Sequence, residues 1–224
     1  MLRVIIAGAG EAGIAVAAHL RAGGHAVTVI DRDETAARRA FERHGLVALT
    51  GDATSARLLR DADVARADVV VAMLRRDADN LAAALLAQAA GVRRVMVRMR
   101  DTEYRGVYAA AGVQRILSET DVLIGALATA IEHEAVRHSM ILGNGESMAI
   151  ELVVPKGSRT VGRTIADLAV DPAFPRSCVF AAMSDGGPME APRGASVVHA
   201  EMALVIVVRR SDMGEAIEFF MQRS

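Results

Sequence analysis

One stretch, Gly8-Ala9-Gly10-Glu11-Ala12-Gly13, limits the fold of this chain more than any other. It follows Leu2-Arg3-Val4-Ile5-Ile6-Ala7, a short and mostly apolar run of the kind that forms a strand buried on both faces. It precedes Ile14 to Leu20, rich in Ala and Leu, which reads as a helix ending at Gly23-Gly24. Ala26-Val27-Thr28-Val29-Ile30 then reads as a second strand, closed by Asp31. In this setting each glycine has a physical reason. Gly8 permits the tight turn, Gly10 removes a side chain that would block a pyrophosphate, and Gly13 lets the helix lie close on the sheet. The helix N-terminus offers free N–H groups and the positive end of its dipole to phosphate. Asp31 lies eighteen residues past Gly13, where a carboxylate can accept both hydroxyls of an adenosine ribose. The same charge repels a 2′-phosphate, an expectation that Arg32 alongside softens.

The alternation of strand and helix continues. Glu34 to His44 reads as a helix stopped by Gly45, Leu46 to Thr50 as a third strand, and Ser55 to Arg60 as a short helix after Gly51-Asp52-Ala53-Thr54. Asp68 to Leu74 is a fourth strand and Asp77 to Ala90 an Ala/Leu helix ending at Gly91. Val95 to Arg98 is a fifth strand, Asp101 caps a helix to Ala111, and Val113 to Leu117 is a sixth strand. The pattern predicts an α/β fold, a Rossmann-type doubly wound parallel sheet, over residues 1–120. The carboxyl ends of its strands carry the glycine turn, Asp31-Arg32, Asp52-Ala53, Met73-Leu74-Arg75, Arg98 and Ser118-Glu119. The cofactor-binding set predicted from these is Gly8, Ala9, Gly10, Glu11, Ala12, Gly13, Asp31, Arg32, Asp52, Ala53, Met73, Leu74 and Arg98. Within it Glu11 is an acid at a helix N-terminus, where it repels a triphosphate more than a shielded pyrophosphate. Arg75 and Arg98 could offset this by reaching the distal charges, Arg98 across the switch point of the sheet.

Residues 121–138 read as a crossover helix. Val122, Leu123, Ile124, Leu127, Ile131 and Val136, with intervening alanines, leave almost no polar face over its first half. A helix apolar all round must be buried, and this one is too short to span a bilayer, so it is expected to pack on a second copy of the chain. His133 and His138 are five residues apart, about 140° around a helix, which does not match the i,i+4 spacing of a zinc site. No metal site is predicted. Gly143-Asn144-Gly145 reads as the end of a linker covering 121–143. Residues 144–224 then change character to short strands with one small helix and a C-terminal helix over Glu215 to Met221, a small α+β module.

Composition narrows the function classes. Net charge is −1 with acids and bases intermixed, which gives no electrostatic footprint for nucleic acid. No apolar run approaches the roughly 20 residues of a spanning helix, and the first apolar run leads straight into the glycine turn, so neither membrane span nor signal peptide is expected. The lone Cys178 excludes an internal disulfide, fits a reducing compartment, and reads as a small core residue. A dehydrogenase needs a proton donor or acceptor facing the nicotinamide, usually His, Lys or Tyr. His19, His25 and His44 fall within or just after the first two helices, His199 and Lys156 belong to the small module, and Tyr104 and Tyr108 share one helix face as packing residues. No catalytic residue is predicted.

The N-terminal half resembles the nucleotide-binding domain of the potassium-transport regulators of TrkA/KtrA type, the RCK or KTN domains. The resemblance rests on Val4 to Gly10 with Gly13, Val29-Ile30-Asp31-Arg32-Asp33, Gly51-Asp52-Ala53-Thr54 and Asp79-Asn80. The C-terminal half is similar to that family's C-terminal domain through Gly157-Ser158, Val161-Gly162-Arg163-Thr164-Ile165 and Leu168. Two departures stand out. His199-Ala200-Glu201-Met202 replaces the family's usual Gly-Asp before the last strand, and Arg75-Arg76-Asp77-Ala78 replaces a Thr and acidic residues before Asn80. The resemblance implies a cytoplasmic, non-enzymatic regulatory subunit, peripheral to the inner face of the membrane. Such a subunit binds NAD(H), or alternatively ATP/ADP, and gates an integral membrane potassium-translocating subunit. It further implies homodimers that assemble into a higher ring. The alternatives are a small NAD(P)-dependent oxidoreductase and a ligand or cation sensor unrelated to potassium.

Overall fold

In the computed structural model, residues 1–142 and 146–223 are described. Gly143-Asn144-Gly145, read above as linker, lies outside the described residues. The chain forms two compact units, Met1–Thr120 and Asp121–Ser224.

The first unit runs β1 (Arg3–Ala7), α1 (Glu11–Ala22), β2 (Ala26–Asp31), α2 (Glu34–His44), β3 (Val47–Thr50), α3 (Ala56–Asp61), β4 (Val69–Ala72), α4 (Asp77–Ala89), β5 (Arg94–Met99), α5 (Tyr104–Ala110) and β6 (Arg115–Ser118). The six strands form a parallel sheet in the order β3-β2-β1-β4-β5-β6, as the sequence pattern predicts. Because successive side chains of a strand point to opposite faces, β1 feeds two cores. Val4 and Ile6 pack with Ile14, Ala17, Val29 and Ala40, whereas Ile5 and Ala7 pack with Val70, Ala83, Ala84 and Val97. Fully buried alanines on α4 let that helix approach the sheet closely. The ends of α2 follow local chemistry: the Asp33 side chain accepts the Thr35 N–H at 2.8 Å, and Gly45 takes the left-handed conformation (φ +58°) that terminates the helix.

The second unit contains most of α6 (Glu119–Glu132), then β7 (Val136–Leu142), β8 (Ser147–Val153), α7 (Ile165–Ala169), β9 (Val179–Ser184), β10 (Ala203–Arg209) and α8 (Met213–Met221). Its sheet is antiparallel, ordered β7-β8-β10-β9. The helix expected over 121–138 therefore stops at Glu132, and Val136–Leu142 is an edge strand instead. His133 and His138 do not share a helix; His138 Nδ1 lies 3.0 Å from Glu151 Oε2 on the neighbouring strand. One face of α6 packs on β7: a side chain at Gly125 would meet the Ile141 methyl at 2.7 Å, and the Ser139 hydroxyl donates to the Gly125 carbonyl at 3.2 Å. Away from that contact Leu123, Ile124, Leu127 and Ile131 are more than half exposed, as is Val122 on its flank. Thr164 and Asp167 form a reciprocal capping box on α7. Cys178 is buried just before β9, and burial pushes its thiol up to about 12. Glu201 holds φ +65°, a conformation that favours glycine. Among the described residues no helix is long and apolar enough to cross a membrane.

Candidate functional site

The register of the sheet brings one set of residues to a common edge. Ala7 lies opposite both Ile30 and Ala72, and Asp31 opposite Thr50, so Gly8, Asp31, Met73 and the Asp52 turn all follow the carboxyl ends of adjacent strands. Three short backbone bonds continue the ladder past the strands: Gly8 N–H to Ile30 O, Met73 N–H to Ala7 O, and Gly51 N–H to Asp31 O, each 2.7 Å. In an open α/β sheet the crevice outside this edge, at the reversal between β1 and β4, is where ligands sit.

Within the turn the three glycines have different reasons to be glycine. Gly8 has φ +118°, and a Cβ there would stand 2.7 Å from the Met73 carbonyl oxygen. A Cβ on Gly13 would collide with the Gly8 carbonyl oxygen, so α1 rests directly on the turn. Gly10 is exposed, and a Cβ there would meet nothing within 4 Å. Its missing side chain therefore serves no packing need of the chain itself and leaves the approach to the helix open. Gly10 is the N-cap of α1 and no side chain caps that helix. Among the described residues the amides of Gly10, Glu11 and Ala12 have no hydrogen-bond acceptor outside the helix, as expected of a first turn. They form a set of donors free to receive an anion. The Ala9 amide is committed: it donates to Asp31 Oδ2 at 2.6 Å.

Asp31 is thereby fixed. Its other oxygen accepts the Asp33 N–H at 2.9 Å, which leaves lone pairs on both oxygens for a further donor such as a sugar hydroxyl. Beside it, Arg32 donates to Asp52 Oδ2 at 2.8 Å. The Asp52 pair raises the Arg32 guanidinium above its ordinary value. The Thr54 hydroxyl, with its amide and with Arg32, holds the Asp52 carboxyl below the usual carboxylate range. Ala53 is buried in the same turn.

On the far side of the switch point, Arg98 does not stand free at the edge. Its Nη2 donates to the carbonyl oxygens of Met73 and Leu74, each at 3.1 Å, and Nη1 lies 3.7 Å from Glu119. Its Nε is buried with no hydrogen-bond partner. Arg75 is exposed.

Two residues outside the predicted set organise this rim. Asn80, fully buried, accepts the Leu74 N–H at 2.7 Å and donates to the carbonyls of Leu74 and Arg98 at 3.2 and 3.0 Å. Asp77, also buried, accepts the amides of Arg100 and Asp101 and the Tyr108 hydroxyl at 2.9 Å. Burial, then the Asp77 hydrogen bond, pushes the Tyr108 phenol up. Tyr108 does pack against Tyr104, with ring centroids 6.0 Å apart, but its hydroxyl anchors α5 to α4. For Asn80 the sequence signal is its place in Asp79-Asn80, one of the stretches that carry the family resemblance; for Asp77 it is no more than a polar residue in the first turn of an alanine-rich helix. The arrangement can bind and orient an anion with an attached sugar. Among the described residues no group of three or more His, Cys, Asp or Glu side chains is placed to hold a metal.

Comparison with known proteins gives consistent results for both units. Residues 4–119 match the TrkA-N domain family and residues 149–221 the TrkA-C domain family. A Trk system potassium uptake protein TrkA homolog from Archaeoglobus fulgidus is 36% identical over 95% of this chain and 48% of its own length. Another from Methanothermobacter thermautotrophicus is 23% identical over 97% of this chain and 98% of its own. The chain thus spans about half the length of the first relative and nearly all of the second. A structure of the GsuK channel bound to NAD superimposes with a TM-score of 0.67 at 18% identity, over 99% of this chain and 40% of that one, which is a likeness of fold.

Proposed function

Given that this chain belongs to the TrkA family, with a TrkA-N domain over residues 4–119, we propose that it is a nucleotide-binding regulatory subunit of a membrane potassium uptake system. The observation that carries the reading is the uncapped first turn of α1 beside the fixed carboxylate of Asp31, with nothing of the chain's own filling the space at Gly10. NAD(H) is the nucleotide that fits this arrangement. The free amides of Gly10, Glu11 and Ala12 would receive the pyrophosphate and Asp31 the adenosine ribose. Arg32, Asp52 and Ala53 would border the adenine side, while Met73, Leu74 and Arg98 form the rim across the switch point. The role is binding without turnover, and ADP or ATP would compete for the same turn.

The family resemblance supports a position at the cytoplasmic face of the membrane, on a potassium-translocating partner. The exposed apolar face of α6 supports a homodimer as the unit from which a ring is built. On this reading residues 1–120 are the nucleotide domain, 121–143 the crossover segment and 144–224 the C-terminal domain. The test is calorimetric titration of NADH, NAD, ADP and ATP into the purified protein, followed by potassium uptake in vesicles carrying the membrane subunit. Saturable binding of an adenine nucleotide and a nucleotide-dependent uptake rate are expected. Uptake indifferent to every nucleotide in the presence of the wild-type chain would refute the regulatory role.

A further inference from the structure

The antiparallel sheet of the second unit has one face that its own unit leaves uncovered, and we propose that this face docks on the same face of another copy of the chain. β10 runs Ala203-Leu204-Val205-Ile206-Val207-Val208, apolar without a break, and from Met148 to Val153 the charged residue of β8 is Glu151. An antiparallel strand with one face in water alternates apolar and polar residues; strands apolar on both faces need cover on both. One set of alternate residues has that cover: Ile150, Leu152, Leu204 and Ile206 are buried in a core shared with Ile217 and Phe220 of α8. The other set does not. The register puts Met140, Ala149, Val207 and Val179 in one row across all four strands. His138, Glu151, Val205 and Ala182 form the next row. None of these side chains belongs to a hydrophobic core of either unit. On the two edge strands Met140 is 60% and Val179 57% exposed.

Charge and shape together favour a second copy as the occupant. Glu151 and Arg209 put one charge of each sign on this face, and His138 Nδ1 lies 3.0 Å from Glu151. Nucleic acid and anionic lipid call for a basic patch, which this face lacks, whereas a neutral face meets no repulsion from its own copy. Facing sheets pack about 10 Å apart with their side chains interdigitated. The small Ala149 between Met140 and Val207 leaves a trough beside a ridge, and a two-fold axis sets ridge against trough on both copies at once. Four strands about 4.8 Å apart and seven residues long make a face of roughly 450 Å². A stable interface buries about 800 Å² on each partner, so this contact is weak on its own. It acts between dimers already joined at α6, each of which presents the face twice. In that respect it rests on the dimer proposed above, and it supplies the second contact that linking dimers into a ring requires.

Sedimentation and light scattering of the full chain, from micromolar to several hundred micromolar, test this. Wild-type protein should pass from dimer to larger even-numbered assemblies as concentration rises. Met140→Glu and Val179→Glu each place a like charge on both copies at a solvent-exposed position. Each should raise the concentration at which the larger assemblies form by about tenfold or more, with dimer and melting temperature as in the wild type. Ala149→Cys, in the middle of the face, should be joined between dimers by a short bismaleimide, whereas the buried Cys178 should not react in the wild type. A wild type that stays dimeric over the whole range would overturn the inference and leave the α6 dimer standing. So would larger assemblies that form equally well in both charged variants. A wild type that passes only from monomer to dimer, with that step lost in both charged variants, would keep this contact and remove the α6 dimer instead. A wild type that is monomeric throughout would remove both.

Discussion

Asn80 and Arg98 both donate to the carbonyl oxygen of Leu74, at 3.2 and 3.1 Å, and the Asn80 amide group donates as well to the Arg98 carbonyl. One backbone carbonyl at the end of β4 is thus held from α4 and from β5, two elements that belong to successive strand–helix units. The loop held in this way is the one whose Met73 carbonyl limits Gly8 to glycine. The shape of the glycine turn is therefore fixed partly from across the switch point.

Asn80→Ala should be among the most damaging polar substitutions in the first unit. It takes the Asn80 side chain from the Leu74 amide and the Arg98 carbonyl and leaves the Leu74 carbonyl with Arg98 alone, at a fully buried position. A loss of about 2–3 kcal/mol is expected, read as a lowered urea midpoint at unchanged slope. Arg98→Ala should cost less, because the Leu74 carbonyl keeps its Asn80 contact and only the Met73 carbonyl loses its side-chain donor. Arg98→Ala should nonetheless weaken NADH binding by loosening the rim and flatten the nucleotide response of potassium uptake. An Asn80→Ala protein as stable as wild type would show that the rim is held by other means.

Asp31 has two duties, one to the turn and one to the ligand. Asp31→Ala should weaken every adenosine nucleotide by about 1.5–3 kcal/mol, the scale of a hydrogen bond to a charged group. Because Asp31 also accepts the Ala9 and Asp33 amides, the same change should lower the stability of the free protein. NADP should bind more weakly than NAD to the wild type, and the preference should fall in Asp31→Asn, where the charge is gone. Titration of both cofactors into each protein checks this; equal wild-type affinities would count against the ribose contact.

In the second unit, Asp171 accepts from Arg163 at 2.7 Å and Arg159 at 3.0 Å. The Arg163 bond, with the Ala173 amide, brings its carboxyl down to about 2. A carboxyl depressed in the folded state favours folding at pH values above its unfolded value, near 3.9. That contribution is lost as the pH falls from there through about 2. Asp171→Asn should be less stable than wild type at neutral pH, and its deficit should shrink between pH 4 and pH 2. Denaturation midpoints at several pH values measure the difference, and a deficit independent of pH would assign it to packing.

Glu201 stands at φ +65°, and its side chain lies 3.3 Å from the exposed Lys156. A non-glycine residue in the left-handed region costs roughly 1–2 kcal/mol, and a surface ion pair returns at most about 1 kcal/mol. Glu201→Gly should therefore raise the melting temperature or leave it unchanged, despite the added chain entropy of glycine. A clear fall would mean that the ion pair is stronger than its exposure suggests.

The parts of the fold legible in the sequence are those encoded locally. Asp33 and Gly45 mark the ends of α2, the three glycines set the turn, and β-branched runs bounded by glycine mark the parallel strands. β7 was not legible. Its residues are apolar and polar in no clean alternation because it is an edge strand, buried only in part, and no Gly or Pro between His133 and Val136 stops the helical pattern. Asn80 and Asp77 are not legible as site residues for another reason. Their partners lie 6 to 31 residues away, and only the folded sheet shows that an amide and a carboxylate in one helix turn hold two loops. The sequence puts Arg98 toward the carboxyl end of β5, but which acceptors it finds depends on how β5 sits beside β4.

The exposed face of α6 leads to the final prediction. Val122, Leu123, Ile124, Leu127 and Ile131 are each more than half exposed, and Ile131 is 82% exposed. Gly125 and Thr129, on the side away from Leu123, Ile124, Leu127 and Ile131, are buried, with the Thr129 hydroxyl on the Gly125 carbonyl at 2.7 Å and β7 covering Gly125. The helix is therefore seated by its small residues and presents its large ones outward, the reverse of what a surface helix of a monomer does. A contiguous apolar strip of this kind marks an interaction surface, and the same strip on a second copy is self-complementary about a two-fold axis. The wild-type chain should be a dimer at micromolar concentration by light scattering, with crosslinks joining residue 127 of one copy to α6 of the other. Leu127→Asp should give monomer or aggregate, whereas Glu132→Ala, at the polar end of the helix, should not. A wild-type chain that stays monomeric at micromolar concentration would refute the dimer and assign the strip to another partner.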